Sequence, residues 1–291
     1  MLFSRTCGGL WKIVYAFIVL MSLSLSLSNL ASSGSPAESE TNYAGRRRPW
    51  IMVGLSLEGC SGGCRRLRSV ISEMSGNSNV VTLDFRTATF QTILDLDPEF
   101  IVLSPQGTPW CRYTGSTGVA LQNFLWLIPQ IAEEIDVPIL GICGGHQAIA
   151  LAFGGKVGPI RAGIDDCMPY SRDKQSGLTQ LSQDTHDPIF VGLDDKIRIL
   201  ESHYDEVKEL PPGFVLLATE RTSRNQIIRH PYKPIYGIQG HPETFVGSRP
   251  DGGALIRNFI HIAKTYNANV RYSRQYIDIN QSFNQLTKYI K

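Results

Sequence analysis

The amino-acid sequence predicts an α/β fold, a mostly parallel central sheet with helices packed on both of its faces. Three observations carry that expectation. Short apolar runs alternate with amphipathic stretches through the first half of the chain. The runs are continuously apolar rather than alternating, as strands buried on both faces must be. Glycine and proline breaks fall between the segments, where turns are needed. With 291 residues, 42% of them hydrophobic and 19% charged, the chain is long enough to bury one full core.

Taken in order, WIMVGLSL (50–57) reads as the first strand, broken at Gly59 to Gly63 before the amphipathic stretch CRRLRSVISEM. VVTLDF (80–85) is a second strand, TATFQTILDL a short helix, and FIVLSPQG (100–107) a third strand closing in a Pro and Gly loop. Apolar positions at Leu121, Phe124, Leu125, Ile128 and Ile131 recur at helical spacing over 118–135. PILGI (138–142) is a fourth strand. Past Lys156 the chain is strand-like and loop-rich until Asp251, where ALIRNFIHIAKTY predicts a closing helix, with the tail YSRQYIDINQSFNQLTKYIK one further helix.

The ends divide the chain into four parts. Residues 1–33 hold Arg5 and Lys12 ahead of IVYAFIVLMSLSLSLSNLA, with no acidic residue before Glu38, the layout of a secretory signal or signal anchor. Cleavage after Ser33 and an uncleaved membrane anchor through residues 13–31 both fit that stretch, and an arginine-poor transit peptide is a third reading. The expected location is secreted, periplasmic or membrane-anchored, and cytoplasmic if the segment is no targeting signal. A polar linker (34–48), the globular domain (49–266) and a C-terminal extension (267–291) follow. The net charge of +2 gives no reason to expect nucleic acid as a partner. Cys60, Cys64, Cys111 and Cys167 allow three disulfide pairings if the domain is exported, and ordinary reduced cysteines are the equal alternative. No metal-ligand spacing is present and no cofactor is expected.

Ligands of an open parallel sheet bind beyond the carboxyl ends of its strands, and Cys143 lies there, after PILGI. Gly141-Ile142-Cys143-Gly144-Gly145 is the cysteine counterpart of a nucleophile elbow, in which flanking glycines permit a tight strand-to-helix turn. A buried cysteine beside a glycine-rich turn is the plain alternative. A nucleophilic sulfur needs a base, and the base an orienting partner. In IYGIQGHPETF, Ile235 to Gln239 reads as a strand, so His241 falls on the same rim and Glu243 is placed to reach its ring. His146 is on the elbow helix, His186 and His230 are in polar loops and His261 is in the last helix.

GICGGHQ, SHYDEVKELPPGF (202–214) and YGIQGHPE, in this order, resemble the three landmark segments of class I glutamine amidotransferase domains, the last two most like those of GMP synthetases. The resemblance spans roughly 49–266. It implies a flavodoxin-like three-layer sandwich with Cys143 as nucleophile, His241 as base and acid, and Glu243 as its orienter. It further implies oxyanion donors at Gly144 and in the loop after the third strand, and substrate contacts from Gln147, Ser202 and His203. The loop departs from the family's Gly-Gly-Pro-Gly. It reads SPQGTPWCRY, and because Pro105 has no N–H the second donor must be Gln106 or Gly107. Trp110, Arg112 and Tyr113 either reshape the pocket or belong to a surface loop, and Asp205 and Glu206 either support His203 or sit solvated in a loop, the second reading being preferred. The implied activity is hydrolysis of the γ-carboxamide of glutamine through a γ-glutamyl thioester, ammonia being released or passed to a synthetase partner. The alternatives are a γ-glutamyl peptide hydrolase and a non-catalytic module that keeps the fold.

Overall fold

In a computed structural model the protein is described over residues 47–161, 173–183, 186–244 and 251–286. The expected leader, nearly all of the linker, Cys7 and Cys167 lie outside the described residues. Among the described residues, no helix is long and apolar enough to cross a membrane.

The strands are β1 (Trp50–Gly54), β2 (Val80–Asp84), β3 (Ile101–Leu103), β4 (Ile139–Ile142), β5 (Lys156–Pro159), β6 (Gln175–Gln183), β7 (Lys196–His203), β8 (Asp205–Glu209), β9 (Val215–Thr219), β10 (Ile227–Arg229) and β11 (Ile235–Ile238). The helices are α1 (Gly62–Ser75), α2 (Phe90–Leu96), α3 (Gly115–Gln130), α4 (Gly144–Ala152) and α5 (Asp251–Leu286). Strand order in the main sheet is β2-β1-β3-β4-β11-β10-β9-β6-β7, and β5 pairs with β8 in a separate two-stranded ribbon. The five strands from β2 to β11 run parallel, and β10, β9, β6 and β7 extend the sheet antiparallel.

The apolar runs bury both faces, as expected of the parallel part. Trp50 and Met52 point to one side of β1, joining Leu67 and Ile71 of α1 and Phe259 of α5. Ile51 and Val53 point to the other, joining Ile93 of α2, Phe124 and Ile128 of α3 and Ile149 of α4. Trp50 stacks on Phe100, whose ring meets Phe259 edge-on, so the first strand, the third and the closing helix share one aromatic seam.

Two elements differ from expectation. The stretch read as one helix over 118–135 begins at Gly115 and ends in a π-turn at Ile131–Ile135, directly after Pro129. Proline inside a helix cannot donate to the turn before it, and the wider turn follows that loss. The closing helix and the tail form one helix from Asp251 to Leu286, since no Pro or Gly interrupts the sequence between Asn267 and Leu286.

Candidate active site

β4 and β11 are parallel neighbours in register, Ile142 opposite Ile238. The residues that follow each strand therefore emerge side by side, and the Cys143 N–H donates to the Ile238 carbonyl at 2.8 Å. Cys143 adopts φ 50°, ψ −103°, a left-handed region that side chains rarely enter. Three glycines permit the turn. A Cβ on Gly141 would meet the Gly145 carbonyl, and one on Gly145 would lie within 2.8 Å of the Leu103 carbonyl carbon. One on Gly144 would lie 3.0 Å from the backbone nitrogen of Gln106, so the elbow and the loop after β3 approach backbone to backbone.

Past β11, the Gln239 N–H donates to Gln226 and the His241 N–H to Leu200, at 2.8 and 2.7 Å, fixing the turn between β10 and β7. His241 Nδ1 lies 2.9 Å from Glu243 Oε1, and the carboxylate is almost wholly buried. Nε2 is buried and makes no conventional hydrogen bond among the described residues, while the ring lines a cavity together with Cys143. Burial opposes a charge on His241, but the Cys143 sulfur and the Glu243 carboxylate outweigh it and push the imidazole up to about 11. The ring is therefore held protonated, with the Cys143 sulfur and the Glu243 carboxyl as its neighbours. His146 is the contrast: burial takes it down to about 3, and it sits neutral against Gly237 of β11.

Two cavities meet at Cys143. A smaller one, about 210 Å³, is bounded by Gly107, Gln147, Lys174, Ser202, His203 and Asp205. A wider one, about 540 Å³, is bounded by Glu58, Gly63, Arg112, Ser202 and His241. Cys143, Gly107, Gln147, Ser202, His203 and His241 thus line these two cavities, with Gly144 on the elbow and Glu243 against the His241 ring. The polar atoms of Gln147 are engaged by the protein, accepting from Trp110 Nε1 at 2.6 Å and donating to the Asp205 carbonyl at 2.7 Å and Gln239 Oε1 at 3.1 Å. It ties three walls of the site together. Tyr113 anchors the same loop by donating to the Leu55 carbonyl at 2.6 Å, and burial pushes its hydroxyl up to about 12.

Sequence reasoning missed several features. Asp205 and Glu206 are buried in β8 rather than solvated. Cys60 and Cys64 form a disulfide across Ser61 to Gly63, and Cys111 is disulfide-bonded as well, which settles the cysteines at those positions against the reduced alternative. Behind His241, a buried carboxyl at Glu201 lies 3.1 Å from His203 Nε2, in space that a side chain on Gly240 would fill. His203 Nδ1 is 2.9 Å from the Asp205 carbonyl, which can only accept, so Nδ1 carries a proton. Burial raises Glu201 above the usual carboxylate range although His203 pulls it down, so the folded chain holds the Glu201 proton to higher pH than the unfolded chain does. Because the unfolded chain releases that proton from the ordinary carboxylate range upward, the folded state loses stability as pH rises above about 4.5. Glu201→Gln, which mimics the protonated acid, is expected to flatten that decline. Urea midpoints at pH 4.5 and pH 8, with a smaller difference in the variant than in the parent, check it.

Among the described residues no group of three or more His, Cys, Asp or Glu is placed to hold a metal ion. A sequence model of the family described as Glutamine amidotransferase class-I matches residues 65–263. The chain belongs to that family. Among amidotransferases, a glutamine-hydrolyzing GMP synthase subunit of Thermococcus kodakarensis is 38% identical over 176 residues, 60% of this chain and 81% of that protein. The protein of the same name from Methanosarcina barkeri is 33% identical over 205 residues, covering 70% and 92%. A solved structure assigned to a GMP synthase subunit from Thermoplasma acidophilum superposes with a TM-score of 0.60 at 28% identity, over 78% of this chain and all of that one. A glutamine amidotransferase structure from Thermotoga maritima, 18% identical with a TM-score of 0.51, shares the fold over 79% of this chain and 86% of its own. The class I amidotransferase fold is thereby shown, a mostly parallel sheet between helical layers.

Proposed function

We propose that the chain is a thiol hydrolase of γ-glutamyl amides, glutamine being the simplest of them. The observation that carries this reading is Cys143, held at a strained elbow and sharing a cavity with an imidazolium that Glu243 orients. Cys143 attacks the γ-carbonyl, forming an S–C bond. The Gly144 N–H and an N–H of Gln106 or Gly107 receive the oxyanion, which the close approach of those two segments supports. His241 gives its proton to the leaving nitrogen as the C–N bond breaks, then accepts one from the water that opens the thioester. The smaller cavity takes the glutamyl end, bounded by Gln147, Ser202 and His203. That relatives are named as glutamine-hydrolyzing supports glutamine as one substrate and a partner as one destination for ammonia.

The disulfides support a different setting for this chain. Disulfide-bonded cysteines at Cys60, Cys64 and Cys111 suit an oxidising compartment. An exported enzyme that releases its products is the reading they favour over one that feeds an ATP-dependent partner.

The experiment is ammonia release from glutamine by the purified full chain, beside mass analysis after treatment with a glutamine-like chloroketone. Turnover together with a single adduct on Cys143 is the expected result. An adduct elsewhere, or none with no turnover, would refute the reading.

A further inference from the structure

We infer that the wider cavity beside Cys143 is a leaving-group subsite for an amino acid or short peptide, and that Arg112 holds the free carboxylate of that leaving group. The inference rests on the thiol-hydrolase reading above and names the substrate class it serves, γ-glutamyl amino acids and peptides.

Geometry assigns the sides. His241 lines the wider cavity and is absent from the smaller one. The group that protonates the departing nitrogen must stand on the side to which that nitrogen departs. The leaving group therefore occupies the space of about 540 Å³, and the acyl end the space of about 210 Å³. Ammonia, close to water in size, needs roughly 30 Å³. A cavity more than tenfold larger falls within the range of pockets that enclose whole small molecules, about 300–1,000 Å³.

Charge then selects the chemistry. A leaving group joined through its own α-amine keeps a free carboxylate and has no free α-ammonium. Arg112 lines the wider cavity and makes no ion pair among the described residues, so its planar fork is available to a carboxylate. Glu58, on the same cavity and likewise without an ion pair, repels a carboxylate placed against it and so favours the orientation toward Arg112. Both walls are cross-linked: Cys60–Cys64 spans the lining residues Ser61 to Gly63, and Cys111, adjacent to Arg112, is itself disulfide-bonded.

The step balances without a co-reactant other than water. The sulfur–carbon bond forms as the γ-amide C–N bond breaks, His241 delivers one proton to the freed amine, and water returns the thiol and a γ-carboxylate.

The test compares kcat/KM of the full chain on γ-glutamylglycine, γ-glutamylglycinamide and glutamine, for the parent and Arg112→Gln, with a melting curve of each. The parent is expected to prefer the free acid at least tenfold over both the glycinamide and glutamine. Arg112→Gln is expected to erase the preference for acid over glycinamide while melting as the parent does. Equal rates on acid and glycinamide in the parent, or a preference that survives in the variant, would overturn the subsite while leaving the hydrolase reading intact. Silence toward all three substrates would overturn the hydrolase reading and the subsite with it.

Discussion

Replacing Cys143 with alanine is expected to lower kcat/KM for any γ-glutamyl amide by at least about 10⁴-fold, the scale at which loss of a nucleophile leaves only the oxyanion donors and binding at work. Among the described residues Cys143 is the only free cysteine. His146, the nearest alternative along the chain, is buried and neutral, and Ser202 belongs to the cavity wall on a different strand. The paired variant Cys143→Gly should be equally inactive but more stable than Cys143→Ala by about 1 kcal/mol, because glycine accepts φ 50° without the strain that alanine retains. Steady-state kinetics and urea midpoints of the two variants check both halves. A glycine variant no more stable than the alanine one would mean that the elbow holds no strain.

Gly145→Ala is expected to destabilise the fold by about 3 kcal/mol or more. Its Cβ would press on the Leu103 carbonyl carbon and side chain at 2.8 Å, and neither can retreat, since Leu103 is in β3, between β1 and β4. Relief would require α4 to lift from the sheet, carrying the elbow with it, so activity should fall with stability. Gly158→Ala is the control. Its nearest neighbour is the Lys208 side chain at 3.8 Å, and it should shift the midpoint by no more than about 0.5 kcal/mol. Equal effects from the two substitutions would show that the elbow is not packed as described.

The parallel half of the fold was legible because four of its five strands, β1, β3, β4 and β11, are continuous runs without charge and buried throughout, the edge strand β2 being half-buried with Thr82 and Asp84. The antiparallel half was legible only as strand-like, since QSGLTQLSQ in β6 is exposed along one side and has no hydrophobic period of its own. Cys143, His241 and Glu243, the proposed triad, could be singled out because each lies within a short motif at a strand end. Residues that act across the chain could not. Trp110 reaches Gln147 over 37 positions, and the buried partnership of Glu201 with His203 depends on the absence of a side chain at Gly240, far along the chain beyond β11. Arg112 was noticed as a loop residue that could reshape the pocket, but only the fold shows that it shares a cavity with His241 and Glu58.

The place of β11 in the sheet bears on how the site is assembled. It is the last strand among the described residues, yet it lies in the interior, between β4 and β10. A chain emerging from synthesis therefore holds β4 and its cysteine long before the strand that brings the imidazole can slot in beside it. Until that insertion the sulfur has neither His241 nor Glu243 as a neighbour. On the proposed mechanism, the disulfides at Cys60–Cys64 and Cys111 have the chance to form before the proposed base joins Cys143 at the closure of the sheet.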